Sequence, residues 1–250
     1  MNIYQHILVF RAKINGINLL FYRKNWKMKF AVVIFPGSNC DRDMTDALQH
    51  DLNQEVITLW HKDKDINMLD TQDCIVLPGG FSYGDYLRCG AIARFSPMMQ
   101  SVIEFAGKGG KVLGVCNGFQ VLCESGLLPG VLLRNAQQQF VCKNVYIQHK
   151  DAAQTEVLKI PVAHGEGRYF AGNKLMESLH KNQQIVYRYC DPSGSINEES
   201  NPNGALENIA GICNEQGNVV GMMPHPERAC STALNNTDGR IIFNKLFGIR

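Results

Sequence analysis

A cysteine between two glycines, directly after a short apolar run, is the feature of this sequence that most constrains the fold. The run Val112–Val115 leads into the G-x-C-x-G spacing around Cys116, and a helix-like pattern follows toward Glu124. Strand, sharp turn and helix in this order match a nucleophile elbow, whose small neighbours let a substrate approach. The helix dipole favours a thiolate there, so we predict that Cys116 is a nucleophile. The alternative is a buried structural cysteine at a strand end.

Short apolar runs that alternate with helical patterns predict an α/β fold. Strand-like runs cover Phe30–Phe35, Glu55–Trp60 and Cys74–Leu77, and helical patterns begin near Asp41 and cover Pro97–Lys108. Runs of this length that are apolar throughout are typical of strands buried on both faces. The order predicts a doubly wound, mostly parallel sheet with helices on both faces.

Three turns follow the predicted parallel strands and should meet at one edge of the sheet. They are Pro36-Gly37-Ser38, Pro78-Gly79-Gly80 and the turn at Cys116. Ligands of such sheets bind outside the carboxyl ends of the strands, so this edge is the predicted site.

The pattern changes after Gly130 to strand-like runs, which suits a small antiparallel extension of the sheet. These runs are Phe140–Gln148, Glu156–Ala163, Gln183–Tyr189, Ile209–Cys213 and Asn218–Met223. Helical patterns cover Asn173–Lys181 and begin again near Thr237. No linker long enough to separate domains is apparent, so we predict one domain over residues 28–250.

Composition excludes several classes of protein. The chain has 250 residues, of which 45% are hydrophobic and 19% charged, as expected for an ordinary α/β domain. Its nine cysteines form no C-x-x-C pair and no zinc-finger spacing with histidine. We therefore predict reduced thiols in a cytoplasmic protein without a metal site. No apolar run is long enough for a membrane span, and the body of the chain has no basic footprint for nucleic acid.

Residues 1–27 differ in charge from the remainder. They contain five of the 25 basic residues and no acidic residue, so the rest of the chain is mildly acidic. They lack both the apolar core of a signal peptide and the serines of a transit peptide. We predict that they are an appended or poorly ordered segment and that Met28 is an alternative start.

A cysteine nucleophile needs a base, and the base needs an orienting partner. Of the seven histidines, His225 stands out because it lies between two prolines, just past a predicted strand end, two residues before Glu227. Each proline favours an extended conformation in the residue before it, and residues two apart in an extended chain point the same way. We predict that Glu227 orients His225; the alternative is a rigid surface turn.

An acyl-transfer site also needs backbone N–H groups aimed at the developing oxyanion. The N–H of Asn117 lies in the elbow itself, and the Gly79-Gly80-Phe81 turn is the predicted source of a second donor, assigned to Gly80. A plain turn without this role is the alternative for the two glycines.

The phrase Gly114–Gln120, taken with His225-Pro226-Glu227, resembles the class I, triad-type glutamine amidotransferases. Within that family, further phrases resemble the glutaminase subunits of phosphoribosylformylglycinamidine synthases, in the short bacterial form. These phrases are Phe35–Asp41, Pro78–Ala91, Pro161–Gly167 and Gly221–Arg228. The resemblance runs from Met28 nearly to the C-terminus and implies a flavodoxin-like fold.

The resemblance implies a mechanism and a set of roles. Cys116 would attack the side-chain amide of L-glutamine, His225 would act as base and then as acid, and a γ-glutamyl thioester would form. The implied glutamine-binding residues are Gly79, Gln120, Gly165, Gly167 and Arg168. His164 and Glu166 form a second His-x-Glu pair, which the resemblance assigns to binding or to partner contact.

The resemblance also implies partners. The chain would pass ammonia to a large synthetase subunit that uses ATP and magnesium to convert formylglycinamide ribonucleotide, beside a small accessory subunit. The stretch Gly107–Lys111 superficially suggests a phosphate loop, but it precedes a strand and lacks the G-x-x-x-x-G-K-[ST] spacing. We therefore expect no cofactor in this chain.

Two other functions compete with this interpretation. Flavodoxin-like cysteine peptidases and deglycases usually carry their histidine directly after the nucleophile, where this chain has Asn117. The second is a non-catalytic scaffold that regulates a synthetase; the intact set of Cys116, His225 and Glu227 argues against it.

Overall fold

The computed structural model describes residues 7–14, 17–24, 28–153 and 156–249. Its strands are β1 (Ile7–Ile14), β2 (Ile17–Lys24), β3 (Lys29–Ile34), β4 (Glu55–Trp60), β5 (Cys74–Leu77), β6 (Lys111–Val115), β7 (Val131–Leu133), β8 (Val141–His149), β9 (Val157–His164), β10 (Arg168–Phe170), β11 (Ile185–Cys190), β12 (Ile209–Cys213) and β13 (Val219–Met222). Its α-helices are α1 (Asp41–Asp46), α2 (Pro97–Gly107), α3 (Asn117–Glu124), α4 (Asn173–Lys181) and α5 (Asp238–Phe247). A π-helical turn, Ala47–Asp51, continues α1.

Nine of these strands form one continuous sheet in the order β4-β3-β5-β6-β13-β12-β11-β8-β9. The first five are parallel, and β5 and β13 flank β6 on either side. All four residues of β5 are fully buried, as its uninterrupted apolar run predicts for a strand covered on both faces. The carboxyl ends of β3, β5 and β6 therefore meet at one edge, as predicted.

The four remaining strands are antiparallel and curl back toward that edge. β9 is last in the sheet order, four places away from β13. Nevertheless, the carbonyl of Pro161 in β9 accepts a hydrogen bond from the N–H of His225, just after β13, at 2.8 Å. The predicted antiparallel extension thus also forms one wall of the site.

The two glycines around Cys116 permit close packing between elements. A Cβ at Gly118 would overlap the backbone carbonyl of Leu77 in β5. A Cβ at Gly114 would lie 2.5 Å from Cδ1 of Leu122 in α3. The spacing therefore seats α3 against the sheet, a different physical reason from the substrate access that the sequence suggests.

The predicted architecture is confirmed, and most predicted boundaries differ from the observed ones by one or two residues. The pattern misses a small two-stranded antiparallel sheet of β7 and β10, each only three residues long. β1 and β2 pair antiparallel in a sheet of their own. Residues 1–6, 15–16 and 25–27 lie outside the described residues, so the interpretation of residues 1–27 stays a prediction. Among the described helices, none has the length and apolar composition to cross a membrane.

Candidate active site

Cys116 occupies the turn between β6 and α3 in a strained backbone conformation. Its φ of 51° lies in the left-handed region that a non-glycine residue rarely adopts, and it is the N-cap of α3. Its N–H bonds the carbonyl of Met222, and its thiol donates to the carbonyl of Ala163 at 3.7 Å. The thiol is thus held between α3 and the curled-back strand β9, where the positive end of the helix favours negative charge.

His225 and Glu227 form a buried hydrogen-bonded pair. Nδ1 of His225 lies 2.6 Å from Oε1 of Glu227, and both side chains are almost fully buried. The pairing follows the sequence prediction, but the conformation behind it does not. Pro226–Ala229 forms a 3-10 turn, so Glu227 reaches the ring from a helical turn and not along an extended chain.

Nearby negative charges strengthen proton binding by the imidazole of His225. Burial disfavours the imidazolium, but the charges of Glu227 and Cys116 outweigh it and raise the pKa of His225 to about 10. Nε2 of His225 is buried and has no hydrogen-bond partner in residues 28–153 and 156–249. Because Glu227 occupies Nδ1, Nε2 is the nitrogen available to exchange a proton with the Cys116 thiol.

The Gly79-Gly80 turn lies against this pair. A Cβ at Gly79 would come within 2.7 Å of Cε1 of His225, and one at Gly80, whose φ is +130°, would lie 2.6 Å from the backbone N of Asn39. No side chain fits at either place, so both positions require glycine. The turn is therefore more than a connector, because it forms a wall of the site.

A chain of side-chain amides joins the elbow to neighbouring loops. Oδ1 of Asn117 accepts from the N–H of Ser82, and Nδ2 donates to Oε1 of Gln120 and to Oδ1 of Asp85. Nε2 of Gln120 donates to the carbonyl of Glu166 at 2.6 Å. Gln120 thus connects the elbow with residues 164–168; its predicted role in glutamine binding stays a prediction.

Asp85 adds negative charge next to this chain of amides. Burial, and to a smaller degree the charge of Glu166, raise the pKa of its carboxyl, while the thiol of Cys89 donates to Oδ2 at 3.1 Å. A carboxyl group poised in this way suits a cationic group on a ligand.

His164 is a buried structural residue. Nδ1 lies 3.1 Å from Oδ1 of Asn135, and Nε2 lies 3.5 Å from Nδ2 of Asn203. Burial and the charge of His225 lower its pKa to about 4, so it is neutral at physiological pH. The residue is 3% exposed. Its predicted role in binding or partner contact stays a prediction.

The same two asparagines hold the rest of this loop. Oδ1 of Asn135 accepts from the N–H of Gly167, and Nδ2 of Asn203 donates to the carbonyl of Gly167. A Cβ at Gly167 would overlap the ring of His164. Nε of Arg168 is buried without a hydrogen-bond partner among the described residues. The two asparagines therefore fix the loop through the backbone of Gly167, while Nε of Arg168 makes no hydrogen bond among the described residues.

Comparisons with known proteins identify the family of this chain. The CobB/CobQ-like glutamine amidotransferase domain family matches residues 27–242. The phosphoribosylformylglycinamidine synthase subunit PurQ of Acaryochloris marina is 54% identical over 224 residues, covering 86% of this chain and 94% of that protein. The PurQ subunit of Gloeobacter violaceus is 54% identical over 227 residues, covering 88% of this chain and 97% of that protein.

This chain belongs to the glutamine amidotransferase family, among the PurQ subunits. A chain in the PurLQS structure from Thermotoga maritima is 38% identical, has a TM-score of 0.75, and covers 89% of this chain and 99% of that one. A second glutamine amidotransferase from Thermotoga maritima is 14% identical with a TM-score of 0.51, over 88% of this chain and 83% of that one, and shares the fold alone.

Several residues around this amidotransferase site carry no sequence signal of their own. Asn203 lies in a polar, loop-like stretch, and Asn135 lies just before a turn; neither position is periodic or flanked by a motif. Asp85, Cys40 and Arg228 do lie inside the phrases that carry the family resemblance. The family resemblance is the signal that could have identified these three residues, because their spacing in the sequence does not predict their contacts.

Proposed function

We propose that the chain is the glutaminase subunit of a phosphoribosylformylglycinamidine synthase and hydrolyses L-glutamine to glutamate and ammonia. One observation carries this proposal: a strained cysteine at a helix N-terminus adjoins a buried His-Glu pair whose atoms lie 2.6 Å apart. That arrangement supplies a nucleophile, a base and an orienting carboxylate.

The first half of the reaction forms a thioester. The thiolate of Cys116 attacks the side-chain amide carbon of glutamine, and the backbone N–H groups of Gly80 and Asn117 stabilise the resulting oxyanion. The carbon–nitrogen bond then breaks as Nε2 of His225 gives its proton to the departing ammonia. Glu227 on Nδ1 stabilises the imidazolium throughout.

The second half restores the enzyme. His225 takes a proton from water, the water oxygen attacks the thioester carbonyl, and the carbon–sulfur bond breaks to release glutamate. The charge of Glu227 supports both halves, because it favours the protonated ring that the first half consumes and the second half regenerates.

Glutamine itself carries an ammonium and a carboxylate that the site must hold. The unused, buried Nε donor of Arg168 suits the α-carboxylate. The raised pKa of Asp85, next to Glu166, marks a site that an α-ammonium group would neutralise. Gly79, Gln120, Gly165 and Gly167 complete the proposed glutamine-binding set.

Ammonia released here needs an acceptor. The PurLQS structure from Thermotoga maritima, by its name, contains more than one kind of subunit. We propose that this chain works with a large synthetase subunit, which uses ATP and magnesium on formylglycinamide ribonucleotide, and with a small accessory subunit, in the cytoplasm. Release without an acceptor wastes glutamine, so we expect low basal activity that rises when the synthetase binds.

The test measures glutamate release by wild type and Cys116→Ala, each with and without the synthetase subunits, ATP and the ribonucleotide. Cys142→Ala is the matched control because Cys142 is an exposed cysteine on β8. We expect partner-dependent activity in wild type and in the control, and none in Cys116→Ala. Activity that survives in Cys116→Ala would refute the elbow; a complex that forms but is inactive throughout would favour the scaffold.

A further inference from the structure

The side chain of Arg228 links the catalytic turn to the start of α1. Arg228 directly follows Glu227 in the 3-10 turn Pro226–Ala229. Its Nε donates to Oδ2 of Asp43 at 2.9 Å, and its Nη2 donates to Sγ of Cys40 at 3.1 Å. Asp43 lies in the first turn of α1 and Cys40 is its N-cap. The guanidinium therefore bonds the start of α1 at two residues, Asp43 and Cys40.

Cys40 continues this contact to the catalytic imidazole. Its N–H donates to the carbonyl of Gly79 at 3.3 Å. A Cβ built on Gly79 would lie 3.3 Å from Sγ of Cys40 and 2.7 Å from Cε1 of His225, so the sulfur and the ring flank the same small space. The donor atoms of Cys40, His225 and Glu227 all lie within 4.8 Å of one another. Arg228, Cys40 and the imidazole thus form a continuous row.

The charges fit a hydrogen-bonded cluster better than a cation site. Burial raises the pKa of Cys40 to about 12, so the sulfur is a neutral thiol that accepts from Arg228. Burial disfavours the charge of Arg228, but the carboxylates of Asp43 and Glu227 favour it, and the pKa of Arg228 is raised. The guanidinium already places a fixed positive charge where a metal ion would meet the sulfur.

Contacts with β9 and α5 hold the other sides of the catalytic turn. The N–H of His225 donates to the carbonyl of Pro161 in β9. A Cβ at Gly239 of α5 would overlap the carbonyl of Pro226, so that helix packs directly on the turn. Removing the Arg228 fork leaves these contacts in place but takes away the side-chain hydrogen bonds that hold the turn to α1.

We propose that Arg228 is a positioning residue of the glutaminase reaction, which holds the His225–Glu227 turn against α1 through Asp43 and Cys40. The fork keeps the imidazole at the angle at which Nε2 meets the Cys116 thiol. Arg228 does not touch the reacting atoms, and its effect passes through His225 and Glu227. This inference builds on the proposed glutaminase function.

The test uses the complete complex and compares Arg228→Gln, Arg228→Lys and Asp43→Ala with wild type. Arg42→Gln is the matched control, because Arg42 is the neighbouring arginine on α1 and its side chain is 90% exposed. We expect kcat of Arg228→Gln to fall roughly 10- to 100-fold with KM changed less than about twofold, since small misplacements of catalytic groups cost this much. Arg228→Lys keeps the positive charge but cannot bond Asp43 and Cys40 at the same time, so its kcat should lie between those of wild type and Arg228→Gln.

A second readout separates positioning from stability. Alkylation of Cys116 by iodoacetamide, followed by peptide mass spectrometry, measures how reactive the sulfur is beside the imidazole. In Arg228→Gln we expect the alkylation rate of Cys116 to fall about tenfold relative to that of the exposed Cys142. A merely destabilised fold would not lower this ratio, because unfolding exposes Cys116.

Two results would overturn the proposal. One is a kcat for Arg228→Gln within about twofold of Arg42→Gln. The other is a loss of activity that follows the folded fraction, with an unchanged alkylation ratio. Failure of the proposed function looks different, because wild type itself would then release no glutamate in the complex.

Discussion

The chain contains two His-x-Glu segments, and the structure gives them different contacts. His225 and Glu227 pair at 2.6 Å in a buried turn beside the nucleophile. His164 is as buried as His225, yet its ring faces the amides of Asn135 and Asn203. Glu166 turns away from that ring and pairs with Arg134 at 3.4 Å. The two segments have the same spacing in the sequence, but their histidines and glutamates make different contacts.

The comparison shows that the neighbouring charge, and not burial, decides the chemistry of a buried histidine. Burial lowers the pKa of both rings. A carboxylate and a cysteine reverse this effect at His225 and raise its pKa to about 10. Neutral amides do not, so the pKa of His164 falls to about 4. Of these two rings, only that of His225 holds a proton at neutral pH.

Replacing each of the two histidines separately gives the largest expected difference in kcat. We expect His225→Gln to lower kcat roughly 10⁴-fold or more, because members of a catalytic triad act as a unit. His164→Gln should lower kcat less than tenfold but destabilise the fold by about 1–3 kcal/mol, since it disturbs a buried hydrogen-bonded group. Steady-state glutaminase assays and urea unfolding of both variants measure the two effects. Equal losses of activity would refute the division of roles.

The carboxylate of the catalytic pair gives the next largest effect. Glu227→Gln keeps the shape of the side chain but removes the charge that stabilises imidazolium on His225. We expect kcat to fall roughly 10⁴-fold with little change in KM, as for a neutralised triad carboxylate. The pKa of His225 should also fall, because its main supporting charge is gone. A proton NMR titration of His225 in wild type and variant, together with kinetics, checks both; an unchanged pKa would exclude the orienting role.

The structural histidine has its own signature in acid. The pKa of His164 is about 4 in the fold and near 6.5 in the unfolded chain, so the unfolded state takes up the proton first as pH falls. Stability from this residue is present above pH 6.5 and is lost as pH approaches 4. Between pH 7.5 and pH 5 the loss should reach about 2 kcal/mol. Urea unfolding at both values should show this loss in wild type and not in His164→Gln; parallel losses would contradict it.

The core of the fold and the contact between His225 and Glu227 are the parts that sequence reasoning reaches. Uniformly apolar runs identify β3, β5 and β6, and their shared carboxyl edge places Pro36, Gly79 and Cys116 together. These inferences depend on local pattern and on one general rule for parallel sheets. His225 and Glu227 follow because a cysteine nucleophile requires such partners.

Contacts between distant segments lie beyond that reasoning. The return of β9 to the catalytic edge depends on the cumulative curl of four antiparallel strands, which no local pattern encodes. Asn135 and Asn203 are 68 positions apart and meet only around His164. The predicted contact between His225 and Glu227 is present, but the extended chain predicted to produce it is not, since Glu227 lies in a 3-10 turn. A buried polar network is specified by the whole fold.

The ion pair of the structural segment gives the smallest expected effect. Nε of Arg134 lies 3.4 Å from Oε1 of Glu166, and the arginine side chain is 78% exposed. Exposed pairs contribute little because water screens the charges and ordering the side chains costs entropy, so Arg134→Gln should change the free energy of unfolding by less than about 0.5 kcal/mol. Urea unfolding at low and high salt measures this change, with Arg42→Gln as the control because the Arg42 side chain is 90% exposed. The backbone carbonyl of Glu166 still accepts from Gln120 in this variant, so the loop should keep its place. A loss above about 1 kcal/mol would mean that the second His-x-Glu segment is held by charge after all, and the contrast with His225 and Glu227 would narrow.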